Sequence, residues 1–268
     1  MLGKVVMILT LAVFLTGCGR QSTFVNVNLP LEDIKPSVNG VTSTGAGGNN
    51  VTNTNTNINK NTNVSAPVPT KVEIPAKLEL KVAFAPQAPF GNWNELHEEA
   101  CEEASMITAA KYFLSQPLTE AIMEEEIAKL DAWEKSNGYK IDLSASQTAA
   151  VLEAYFKVQA EVSDDVSVDR IKYELSRGNL IIVPAAGREL DNPYFRSPGP
   201  IYHMLVIRGY NSSEFIVNEV GTKRGDGFKY KYQTLISAVH DWDPAWSHYE
   251  VIGSQMSAQP KRMVIVSK

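Results

Sequence analysis

The chain has 268 residues, a formal net charge of −5 at neutral pH, four histidines and two cysteines. An acidic balance with no basic stripe excludes nucleic acid as an expected partner. No glycine-rich phosphate loop or dinucleotide fingerprint occurs, and Gly225-Asp226-Gly227 reads only as a turn, so no cofactor is expected.

In chain order, Lys4 gives a short positive start and Val5 to Leu15 an apolar run of signal-peptide length, shorter than a membrane span needs. The run ends in Leu15-Thr16-Gly17-Cys18, which resembles the cleavage box of bacterial lipoproteins. That resemblance implies a signal peptide over residues 1–18, lipid on Cys18, and a domain tethered to a membrane of the bacterial cell envelope, outside the cytoplasm. Residues 19–76 hold a tract rich in Asn, Thr, Gly and Ser with almost no aromatic residues. Such a stretch buries too little apolar surface to offset its ordering entropy, and it reads as a disordered tether with a reach of roughly 40 Å. Residues 77–268 are enough for one domain with a real core.

The first half of that domain reads helical. A helix opens at Cys101, with Ala104, Ile107, Thr108, Ala110 and Phe113 at helical spacing. Another runs over Glu120 to Trp133 with Ile122, Ile127 and Leu130 inward. Ser144 to Gln147 fits a capping box opening a helix through Phe156, and Val168 to Arg177 forms a further helix closed by Gly178. The second half reads as strands at Leu180–Pro184, His203–Tyr210, Glu214–Val220 and Met263–Val266, with a hairpin turn at Tyr210 to Ser213. Helices followed by strands predict an α+β domain.

Cys101 sits among Glu98, Glu99, Glu102 and Glu103. Carboxylates hold a proton on sulfur, whereas a helix N-terminus favours a thiolate. The face shared with Cys101 is Ala104, Ser105 and Thr108, so the four carboxylates are expected to point to solvent and the sulfur inward. A buried inert cysteine and a reactive one both fit the residues. A reactive one needs a base and an orienter for it. His97 lies too close in sequence to fix a geometry. His240 and His248 flank a turn-like DWDPAW and read as surface or packing residues. His240 to Asp243 reads as a solvated turn, so no metal site is expected. His203 opens an apolar strand, and Asn218 falls in the next strand of the hairpin. His203 is a structural residue on one reading and the base on the other.

The order ACEEAS at 100–105, Tyr202-His203 opening HMLVIRGY, and Val217-Asn218 closing EFIVN resembles the bacteriocin-processing, double-glycine peptidase-like family of papain-like cysteine peptidases. VAFAPQAPFGNWN at 82–94 resembles that family's entry segment. The resemblance implies a papain-like α+β fold, with a helical half carrying the Cys helix on an antiparallel sheet carrying His and Asn. It implies Cys101 as nucleophile, His203 as general base and acid, Asn218 as orienter, and Gln87 as the oxyanion-hole side chain, with Asn94 as its substitute. It also implies a thiolate–imidazolium pair and a peptide or protein substrate. Transglutaminase-like or cell-wall amide chemistry shares this residue order, and a non-enzymatic surface binding module on a peptidase scaffold is the third reading. Oligomeric state is not addressed by the sequence.

The lipobox reading makes a direct prediction. Cys18→Ser should release the protein from the membrane fraction or leave the precursor uncleaved. Unchanged processing and fractionation would overturn it.

Overall fold

A computed structural model describes residues 73–268. Cys18, the expected signal segment and the expected tether as far as residue 72 lie outside these residues.

Helix α1 (Glu95–Glu98) is one turn capped by Asn94. Helix α2 (Cys101–Phe113) opens at the thiol, as its pattern predicts, and buries Ala104, Ser105 and Thr108. Helix α3 (Glu120–Ser136) is capped by Thr119 and turns Met123, Ile127 and Leu130 inward; Ile122 is only partly buried. Helix α4 (Ala145–Val151) carries the Ser144–Gln147 capping box and runs on as a π turn over Leu152–Phe156. Helix α5 (Val168–Ser176) is followed by Gly178 at φ +87°, a conformation glycine adopts without strain.

Strands β1 (Leu78–Glu79), β2 (Gln159–Ser163), β3 (Leu180–Ala186), β4 (Tyr202–Tyr210), β5 (Glu214–Asn218), β6 (Asp226–Lys231) and β7 (Met263–Ser267) form one antiparallel sheet. Its order is β2-β7-β3-β4-β5-β6, with β1 paired to β4. Two short helices, α6 (Tyr232–Ala238) and α7 (Gly253–Met256), complete the described part. Strands β1, β2 and β6 have no counterpart in the sequence reading. β1 is two residues long, and β2 and β6 carry exposed polar residues.

Every residue of β4 is buried, because both faces of the sheet are covered. Side chains alternate along each strand. Leu180, Ile182, Met204, Val206 and Val264 join α2, α3 and α4 in one core. Ile181, Val183, Leu205, Ile207 and Ile265 join α5 and α6 in the other. The result is the expected α+β arrangement, with the Cys helix packed on an antiparallel sheet that carries His203.

One irregularity positions the site. Leaving the hairpin turn, Tyr210 pairs with Phe215 and Gly209 with Ile216; beyond it, Ile207 pairs with Val217 and Val206 with Asn218. Arg208 is the extra residue of a β-bulge. Its buried guanidinium donates to Val82 O at 2.7 Å and to Glu79 at 3.0 Å, and it pairs with Asp226 at 3.0 Å.

Two buried carboxyls join α2 to α3. Glu103 and Glu134 are both buried, and their carboxyls act on each other. Burial raises both, Glu103 to about 7, so the pair keeps a proton where ordinary carboxylates have lost theirs. A folded-state value raised above the unfolded one stabilises fully below the unfolded carboxyl range, near pH 4.3, and that stability is lost as pH rises through the folded values. The domain should therefore lose on the order of 2 kcal/mol between pH 5 and pH 9 in urea unfolding. Glu134→Gln, whose amide donates to Glu103 without a proton, should flatten that slope. An equal slope in both proteins would sink this account.

Candidate active site

His203 is the second residue of β4 and lies across from Ala185 of β3. Past the bulge, the β4–β5 register extended beyond Asn218 sets Glu219 across from Leu205 and Gly221 across from His203. Residues 203 and 205 share a face, so Glu219 comes up beside the imidazole. Its carboxylate is fully buried. His203 Nε2 donates to Glu219 Oε1 at 2.5 Å, Gly221 N donates to the same oxygen at 3.0 Å, and Tyr230 OH donates to Oε2 at 2.8 Å. Asn192 Nδ2 donates to the tyrosine oxygen at 2.7 Å, and burial holds the Tyr230 hydroxyl well above its ordinary range. With Nε2 donating to a carboxylate, the neutral ring keeps its lone pair on Nδ1, the nitrogen available for proton transfer.

The ring is held sterically as well. Phe195 meets it edge-on at 5.2 Å between centroids. A Cβ on Gly221 would come within 3.0 Å of His203 Cε1, and one on Gly187 within 3.1 Å of His203 Cβ.

The structure does not bring Asn218 to His203. Asn218 lies across from Val206, on the opposite face, and its Nδ2 donates to Ala83 O at 2.8 Å. Without the bulge, Asn218 would lie across from Ile207 and share the histidine's face. The inserted Arg208 exchanges the two positions and puts Glu219 where Asn218 is expected. The cue in the sequence is only that an acid follows Asn218.

Cys101 is the first residue of α2, where backbone N–H groups lack helical partners. Its carboxylate neighbours are not all in solvent as expected. Glu98 and Glu99 are at least partly exposed, but Glu102 is 1% exposed and Glu103 5%. Glu102 bends back: Cys101 Sγ donates to its Oε2 at 2.9 Å, and Leu143 N donates to its Oε1 at 3.2 Å. Burial first, then Glu102, raises the Cys101 thiol well above its ordinary range, and burial raises Glu102 as well. Burial and the bond to Glu102 favour the thiol over the thiolate partner of His203 that the resemblance implies.

The other expected residues divide. Gln87 lines the cavity beside Cys101, but its Nε2 is committed to the carbonyls of His97 and Glu98 at 2.9 and 3.2 Å, and its Oε1 is buried without a partner. Asn94 caps α1 and bonds His97, and it does not line the cavity. His97 is buried between Asn94 and Glu124. His240 and Asp241 are buried too, so that segment is not a solvated turn; Asp241 accepts from Ala145 N, Trp242 N and Arg262.

His248 differs most from its expected surface role. It lines the cavity with Cys101 and His203, a space of about 600 Å³ walled by Trp93, Phe195, Tyr202 and Trp242. Its Nδ1 bonds Asp142 at 2.7 Å and its Nε2 pairs with Glu99 at 3.3 Å. These three groups converge closely enough to hold a cation. With both ring nitrogens committed to carboxylates, the arrangement is a clamped imidazolium.

The model of the Peptidase C39 like family matches residues 79–255. The chain belongs to that family. The match spans α2, β4 and β5, and so includes Cys101, His203 and Glu219. Among solved structures, a Bacillus anthracis protein provisionally described as a C39-like peptidase aligns at 14% identity with a TM-score of 0.46, covering 72% of this chain and 98% of its own. No curated protein matches. Family membership implies peptidase activity for this C39-like chain.

Hydrogen bonds to Asp142, then Glu99, push His248 up to about 10. Its ring signals in NMR should stay those of an imidazolium through pH 8, and Asp142→Asn should return its titration towards the ordinary value near 6.5. A raised folded value stabilises below that ordinary value and loses the effect as pH rises through about 10. A wild-type ring that titrates near neutrality would contradict the clamp.

Proposed function

We propose that this C39-like chain is a cysteine peptidase acting outside the cytoplasm from a lipid anchor, with Cys101, His203 and Glu219 as its catalytic set. The observation that carries the reading is a histidine clamped by a fully buried carboxylate in the cavity that holds the only cysteine among the described residues. His203 Nδ1 takes the proton from Sγ, and the sulfur attacks the substrate carbonyl. The backbone N–H of Cys101 at the start of α2 supports the oxyanion. The protonated imidazole then gives its proton to the leaving amine. Water, deprotonated by the same nitrogen, cleaves the thioester and frees the sulfur. Glu219 fixes the tautomer and steadies the imidazolium, the part first given to Asn218.

One observation favours the non-catalytic scaffold: Cys101 Sγ is buried and bonded to Glu102, which favours the thiol. Turnover decides between the two. With fluorescently labelled casein and a mixed peptide library as probes, Cys101→Ser and His203→Ala should abolish hydrolysis. Glu219→Gln should lower it at least about tenfold, because the amide cannot balance the imidazolium. Asn218→Ala should leave the rate within a few-fold and lower stability by about 1 kcal/mol through the lost bond to Ala83. Hydrolysis that survives Cys101→Ser, or none in the wild type with either probe, would overturn the peptidase reading. An Asn218→Ala loss larger than that of Glu219→Gln would overturn the assignment of the carboxylate.

A further inference from the structure

The side chain after the nucleophile does something the catalytic set does not require. Residues Cys101 to Ala110 of α2 are all buried, so a glutamate at its second position must find its partners inside the protein. Glu102 is 1% exposed. One carboxylate oxygen is fixed by Leu143 N, in the loop before α4, and the other receives the Cys101 S–H at 2.9 Å. A carboxylate taken out of water is costly unless its oxygens are bonded, and here one of the bonds is the thiol itself.

We propose that Glu102 is a positioning residue that keeps Cys101 as a latent thiol until substrate binds. The inference rests on Cys101 being the nucleophile. Ionising the sulfur would forfeit the S–H bond that Glu102 accepts and would set an anion against a second buried acid. Other groups around the sulfur do not cancel it. Glu103 and Glu99 act in the same direction. Tyr202 of β4 spends its hydroxyl on Leu143 O. Across the cavity, His248 is neutralised by Glu99 and Asp142, and His203 is bonded to Glu219. When the nucleophile is used, the S–H bond breaks, its electron pair stays on sulfur and its proton passes to His203 Nδ1. Glu102 keeps its bond to Leu143 throughout.

The test is the pH profile of Cys101 alkylation by iodoacetamide on the full chain, read by mass spectrometry of the Cys101 peptide. It reports the thiol whether or not any peptide is cut, so it is separate from the turnover assays that judge the peptidase reading. The wild-type rate should rise only above the ordinary thiol inflexion near pH 8.5. Glu102→Gln, which removes the acid and offers an N–H to the sulfur, should lower the inflexion by at least one pH unit. That is about a tenfold faster reaction at pH 7. Glu102→Asp, which keeps the acid but draws it back by one methylene, should fall between the two. If Glu102→Gln does not fold, the aspartate variant decides by the same direction of shift. A wild-type profile that levels off before neutrality, or a variant inflexion equal to or above wild type, overturns the proposal.

Discussion

A carboxylate with no access to water must find a partner for each oxygen inside the protein, and Glu219 finds them in His203, the Gly221 amide and the Tyr230 hydroxyl. Much of the site's geometry follows from this requirement. It fixes the ring tautomer, draws the turn after β5 against the start of β4, and anchors Asn192 of the loop before β4 through Tyr230. Breaking one partner leaves a buried charge short of a bond, which costs more than the bond itself contributes. The glycines at 187 and 221 belong to the same constraint, because a methyl group at either position would enter the space of the imidazole or its neighbours.

The Cys helix meets the sheet under the opposite condition. Its inward residues are small, so the helix lies close to β3 and β4. Its first turn is rich in acids, which suits the helix dipole. Two of them are then buried with the cysteine, and a buried acid keeps its proton or finds a donor. Burial raises Glu103 and Glu134 together, and Glu102 takes the thiol and a backbone amide. The environment that positions Cys101 therefore also suppresses its ionisation. The dipole argument, sound for an exposed first turn, is outweighed here by desolvation.

The far wall of the cavity is closed by the segment after α6. Asp142 and Glu99 hold His248 there, while Trp242 stacks obliquely on Tyr202. Lys140 donates to the carbonyls of Pro244 and Trp246 and ties the same segment to the helical half. A charged clamp at a cavity rim holds a loop in place without filling the cavity with apolar side chains.

The amino-acid sequence by itself determined the α+β class, the start of α2 at Cys101, the Ser144 capping box, the stop at Gly178 and four of the strands, because periodicity and capping are local properties of the chain. It also singled out Cys101 and His203 and the family resemblance that joins them. It could not determine which of Asn218 and Glu219 faces the histidine. That choice depends on strand parity, and a single inserted residue at Arg208 reverses parity for everything beyond it. The bulge is held by Glu79, Val82 and Asp226, residues far apart in sequence. The burial of Glu102 and the arrival of His248 at the cavity are likewise contacts between distant segments. Only the tertiary structure decided them, since side-chain facing and desolvation are set by neighbours that the local sequence does not contain.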